Sequence, residues 1–141
     1  MTLSRRLEGY LRRKGVRYVE HPGAPRGGGL ANVVALRDGR GDWLLAVFPA
    51  PLQLDLKALA LASGTTRLRQ PSERERIGRF GPDAPTPFAE LAGVPIFVDR
   101  GFDDWSHIYF ETDNPDGVVG LPLPDYLRIA QPSVGPFARP A

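Results

Sequence analysis

The stretch NVVALRDGRGDWLLAV, residues 32–47, decides how this chain folds. It holds two apolar runs, rich in Val and Leu, separated by Asp38-Gly39, a dipeptide that favours the reversal of a β-hairpin. The first strand is expected over Asn32 to Arg37 and the second up to Val47. An isolated hairpin is marginal in water, so the flanking sequence must supply further strands and helices to cover it.

Toward the N-terminus, Leu3, Leu7, Tyr10 and Leu11 recur at helical spacing and Gly15 stops the pattern. The outer face of this helix carries Arg5, Arg6, Arg12, Arg13 and Lys14, with the cations gathered where they suit the helix dipole. Arg17 to His21 alternates as a short strand. Pro22 to Gly29 (PGAPRGGG) is a turn-rich loop; it lacks the GK[ST] of a phosphate-binding loop, and strand rather than helix follows it.

Toward the C-terminus, Asp55 is placed to cap the helix LKALALAS, with Gly64 as its stop. Arg67 to Arg69 reads as a short strand, and Ser72 caps a polar helix over Glu73 to Arg79. The segment FGPDAPTPF, residues 80–88, has three prolines within six residues and must run as a stiff, extended loop suited to walling a pocket. Strands are expected over Val94 to Asp99, His107 to Glu111 and Val118 to Leu121, and a last helix over Asp125 to Gln131. Together these elements predict a single α/β (α+β) domain over residues 1–132, with 133–141 as an irregular, frayed tail.

The composition is globular, at 42% apolar and 24% charged among 141 residues. No apolar run approaches the roughly 20 residues that span a bilayer, so no membrane partner is expected. Without cysteine there are neither disulfides nor thiolate metal sites, and a cytoplasmic setting is the simplest expectation. Charge is segregated along the chain: residues 1–80 hold 15 Lys+Arg against 7 Asp+Glu, and residues 81–141 hold 3 against 9. A basic half suits a polyanionic partner, although such a run is also an ordinary solvated face.

Several phrases, in order, resemble the YbaK/prolyl-tRNA synthetase editing-domain family: GVRYVEHP, LANVVALRDGRGDWLLAVFPA, QLDLKALALASG, FGPDAPTPFAELAGVPIFVD and HIYFETDNPDGVVGLPLPDYLRI. The resemblance covers residues 10 to 130 and implies a mixed, mostly antiparallel sheet wrapped by helices. It also implies a pocket for the aminoacyl ester at a tRNA 3′ end, hydrolysed without metal or organic cofactor.

Ester hydrolysis needs donors that meet an oxyanion, and the resemblance says where they should stand. The family's pocket lysine falls at Asn32, which keeps an N–H donor but loses the charge. The glycine of a G-x-x-x-P loop falls at Asp83, or at Gly81 in a shifted register, and a pocket histidine falls at Gly120. Asn32 and Asp83 are therefore the candidate catalytic pair, with Asp83 as a water-activating acid/base if burial raises its pKa. Leu30, Phe48, Pro49, Leu52, Gly81, Ala84, Pro87, Phe88 and Gly120 are the candidate substrate-binding positions.

The resemblance further implies a helix between the first strand and residue 32 for which PGAPRGGG leaves no room. His21 and His107 lie too far apart in sequence to suggest zinc, and no hydroxyl stands in a nucleophile elbow. Loss of the lysine leaves two readings open: a deacylase with an altered pocket, or a module that binds the same ligand without cleaving it.

Overall fold

The computed structural model describes residues 5–22, 29–82, 85–111 and 117–140. The hairpin forms as the sequence predicts: β2 (Ala31–Arg37) pairs antiparallel with β3 (Trp43–Pro49), placing Asn32 opposite Phe48 and Val34 opposite Ala46. The reversal is longer than the Asp38-Gly39 signal suggests. It takes residues 38–42, Gly41 rather than Gly39 adopts the left-handed φ of 87°, and Asp38 Oδ1 accepts the N–H groups of Arg40 and Asp42. Asp38 thus organises the turn through its side chain.

β3 continues into a parallel pair with β5 (Ile96–Asp99), and β5 into another with β8 (Ser133–Gly135), giving the order β2-β3-β5-β8. A second sheet runs β1-β7-β6, antiparallel throughout, from β1 (Val19–His21), β7 (Val118–Pro122) and β6 (His107–Glu111). A short third pair joins β4 (Leu52–Leu54) to β9 (Ala138–Pro140). The architecture is α/β, and among the described residues four of six strand pairings are antiparallel.

The central sheet is covered on both faces, which explains why the hairpin reads as nearly continuous apolar sequence. Leu45 and Val47 face a core built with Tyr10, Leu11, Phe88, Phe102, Phe110 and Tyr126. Leu44, Ala46 and Phe48 face a second cluster with Leu36, Leu59 and Phe137. Helix α1 (Arg5–Arg13) contributes Tyr10 and Leu11 to the first core, and α2 (Leu56–Ser63) contributes Leu59 to the second. Asp55 caps α2 and Gly64 ends it in the left-handed conformation. Ser72 and Glu75 form a full capping box on α3 (Glu73–Phe80). A four-residue helix, α4 (Ala89–Ala92), follows the proline loop, and α5 spans Leu123–Ala130.

The expected irregular tail is a correction: residues 133–140 form β8 and β9, and Phe137 is buried in the second cluster. The cause is long-range. The buried carboxylate of Asp99 accepts the N–H groups of Phe137 and Ala138 at 2.8 and 2.9 Å, and that of Gly101 at 2.8 Å. A desolvated carboxylate must be matched by donors, and here the tail supplies two of them.

Candidate active site

β2 is an edge strand, and that position creates the site. Beyond β3, its contacts through the backbone are an isolated bridge from Leu30 to Tyr109 of β6 at one end and one from Arg37 to Arg69 at the other. Between them the edge is open among the described residues. A hollow of about 120 Å³ lies there, lined by Ala31, Asn32 and Val33 of β2, Pro85 and Pro87 of the proline loop, and Phe110 and Glu111 of β6.

Strand geometry says which backbone groups face it. Arg37 N–H donates outward to Arg69 O at 3.1 Å, and Arg69 N–H returns to Arg37 O at 2.9 Å. Inward and outward groups alternate along an antiparallel strand, so Ala31, Val33 and Ala35 share the outward orientation of Arg37. Leu30 O, which accepts Ala50 N–H at 2.9 Å, has the opposite parity and faces β3. Val33 N–H is therefore directed off the sheet edge at a wall of the hollow.

Asn32 lines the hollow and is exposed, with its Nδ2 donating to Ala50 O at 3.4 Å. That is a long, weak bond, which leaves the amide free to turn to a better acceptor at small cost. Its side chain belongs to the face of β2 that also bears Val34 and Leu36, toward the second cluster.

The opposite wall is fixed from beneath. Tyr126 is fully buried and its hydroxyl donates to Pro87 O at 2.8 Å. Burial pushes the Tyr126 phenol far above its ordinary pKa, so it stays a neutral donor. Phe88 packs among Tyr10, Phe110 and Tyr126, and α4 is gripped at its C-terminus by Arg6, bonded to Leu91 O at 2.6 Å, and by Arg79, bonded to Ala92 O at 3.0 Å. These guanidinium groups satisfy carbonyls that a helix end leaves unpaired.

The candidate positions separate into distinct places. Asn32 and Pro87 meet across the hollow. Phe88 lies directly behind it as core, 2% exposed. Leu30 sits at its end through the bridge to Tyr109. Phe48 and Leu52 pack in or against the second cluster, and Pro49 closes β3 opposite Ala31. Gly81 ends α3 at φ 87°, with none of the described residues within 4 Å of where a side chain would project. Gly120 is covered by Tyr109, whose ring would clash with a Cβ there, so a larger residue is excluded while that ring keeps its place. Asp83 and Ala84 lie outside the described residues.

Val33, Pro85, Phe110 and Glu111 line the hollow without having been singled out from sequence. Alternation in HIYFE marks Phe110 as inward-facing, but only the Leu30–Tyr109 bridge reveals that β6 borders this gap.

Among the described residues, several cations of the basic first half are paired with carboxylates. Arg12 pairs with Glu8 at 2.6 Å, Lys14 with Glu90 at 2.8 Å, and Arg37 and Arg69 both with Glu75, at 2.7 and 2.9 Å. Arg69, the capping N–H of Ser72 and Arg37, in that order, hold the Glu75 carboxyl well below the usual carboxylate range.

Comparison with known proteins adds a family. The profile of the aminoacyl-tRNA editing domain matches residues 19–129. The multifunctional Ser/Thr-tRNA deacylase ProXp-y of Escherichia coli K12 is 34% identical over 111 aligned positions, and the match covers 74% of this chain and 64% of that protein. This chain thus spans less than two thirds of the length of that relative. Among solved structures, a protein from Marinobacter aquaeolei VT8 described as acting in signal transduction superposes with a TM-score of 0.83 over 97% of this chain and 31% of its own, at 24% identity. A candidate trans-editing enzyme for prolyl tRNA synthetase superposes with a TM-score of 0.73 over 98% of this chain and 99% of its own, at 18% identity. At these identities the two structures speak for the fold alone.

Proposed function

This chain belongs to the aminoacyl-tRNA editing domain family, and from that premise we propose that it hydrolyses the ester joining a small amino acid to a tRNA 3′ end. The observation that carries the reading is the hollow itself: the β2 edge at Asn32 and Val33 faces Pro85 and Pro87 across about 120 Å³. That volume admits a side chain of a few heavy atoms, since a water molecule's share of the liquid is about 30 Å³. Serine and threonine, the residues named in the ProXp-y relative's description, fall within that limit.

The chemistry follows from the groups at hand. Water adds to the ester carbonyl, and the charge that develops on the carbonyl oxygen is met by Val33 N–H, with Asn32 Nδ2 turning from Ala50 O to give a second donor. Glu111, the one titratable side chain in the described lining, accepts the proton of the attacking water and returns it to the departing ribose oxygen. Two neutral donors replace a cation, and a neutral hydrogen bond contributes about 1 kcal/mol where a charge-assisted one contributes about 1.5 to 3. A slow enzyme is the expected outcome.

A panel of tRNAs charged with serine, threonine, alanine or cysteine, followed by release of the amino acid, tests this. Cleavage of at least one ester above the buffer rate, abolished by Glu111→Gln, supports it. Cleavage of none, alongside tRNA binding that weakens with salt, would replace it with the reading of a non-catalytic binding module, which the neutral amide of Asn32 otherwise favours.

A further inference from the structure

The hollow does not end at Val33. A second, larger groove of about 300 Å³ continues along the same free edge, lined by Val33, Val34 and Ala35 of β2, Gln70 and Pro71 ahead of α3, Glu73 and Arg76 on α3, and Pro85. Val33 and Pro85 border both spaces, so whatever enters one is continuous with the other.

Its lining has a definite chemistry. Arg76 is half-buried, and its guanidinium has no hydrogen-bond or ion-pair partner among the described residues, although Arg37, Arg69 and Arg79 around it are all engaged. A partly buried cation facing a groove with no protein partner is free to pair with a phosphate. Glu73, on the same face of α3, repels phosphate but accepts from a hydroxyl or amino group. Gln70 can both donate and accept, and the rings of Pro71 and Pro85 give flat apolar walls. The amides at the start of α3 are taken by the Ser72–Glu75 capping box, so Arg76 is the attraction for an anion here.

Resting on the deacylase reading, we propose that this groove holds the terminal nucleoside of the tRNA acceptor end, with Arg76 on the phosphate that joins it to the preceding nucleotide. The ester then reaches the smaller hollow past Val33 and Pro85. A groove near 300 Å³ is at the lower end of small-molecule sites and fits one nucleoside rather than a longer segment. Glu73 and Gln70 address the ribose hydroxyl and base edge, and Arg76 orients the strand. Arg76 is thus a positioning residue whose loss raises KM and leaves kcat largely unchanged.

The test uses an RNA hairpin ending in single-stranded CCA, and the same hairpin trimmed of its last two nucleotides, titrated with the full chain by fluorescence anisotropy at several salt concentrations. Arg76→Ala should weaken binding of the intact hairpin about tenfold and lower its salt slope by about 0.7, the contribution of one phosphate contact on a single strand. Arg76→Lys should retain part of the affinity. The trimmed hairpin should be indifferent to Arg76, and Arg74→Ala, which removes an exposed cation from the same helix, should cost less than twofold. Equal binding by Arg76→Ala and the parent, or equal losses from Arg74→Ala, would overturn the assignment and leave the deacylase reading standing. If the parent chain binds neither hairpin, both fall. Binding of the intact hairpin that ignores salt would likewise overturn the assignment, because it leaves no part for a phosphate contact at Arg76.

Discussion

The two ends of β2 are built on opposite plans. At its C-terminal end Arg37 is held by every group around it: two bonds to Gly41 O at 3.1 and 2.7 Å, one to Glu75 at 2.7 Å, and the face of Trp43 at 5.0 Å. Trp43 stacks edge-on with Phe80, and Glu75 also closes its own helix cap, so the hairpin and α3 form one cross-linked unit. At the N-terminal end, five residues away, the Asn32 side chain makes a single 3.4 Å bond among the described residues and Val33 directs its N–H off the sheet edge. The comparison teaches that rigidity and vacancy are complementary: a strand anchored at one end can leave donors unspent at the other, in a fixed position, for a ligand to use.

The sharpest way to break this contrast is Val33→Pro. Proline removes an N–H that faces outward and is tolerated on an edge strand, whereas Val34→Pro would remove one directed at β3. The deacylation rate should fall about 100- to 1000-fold in Val33→Pro while the chain still unfolds cooperatively. A rate within threefold of the parent would mean that the outward amide takes no part.

Asn32→Lys sharpens it from the other side. Placing a cation at the loose end should raise the rate by up to about tenfold, the difference between neutral and charge-assisted hydrogen bonding. No gain would show that the residue 32 side chain does not reach the ester.

The wall facing Asn32 can be loosened without touching the hollow. Tyr126→Phe leaves Pro87 O without its buried donor and should cost about 1 to 2 kcal/mol in denaturant unfolding. It should also lower the rate by letting the proline loop move.

The smallest effect is expected at the rigid end. The Glu75 carboxyl titrates below its ordinary value in the folded chain, so its stabilisation is present above about pH 4.3 and is lost as pH falls toward the folded pKa. The unfolding temperature of the parent should fall below that pH, and Glu75→Gln should flatten this acid limb with little change in activity at neutral pH.

Much of the fold could be read directly because its signals are local. The hairpin, the Asp55 and Ser72 caps, the Gly64 stop and the alternation in HIYFE depend on neighbours within a few residues. The C-terminal strands could not be read, because Pro132, Gly135 and Pro136 speak for a loop while Asp99, more than thirty residues earlier, supplies the acceptors that order it. The site divides in the same way. Asn32 and Pro87 came from resemblance to a family and do line one hollow, but Phe48 and Leu52, expected there too, pack in or against the second cluster.

What the sequence determined by itself is the type of most elements and the presence of an asparagine at position 32, since propensity, capping and residue identity are carried by short stretches of chain. Tertiary structure decided which strand became an edge, which backbone amides were left to face outward, and which arginine was left unpaired beside them. Those outcomes depend on pairings between distant segments, Leu30 with Tyr109 and Arg37 with Arg69 and Glu75, and no local pattern encodes a partner eighty or thirty residues away.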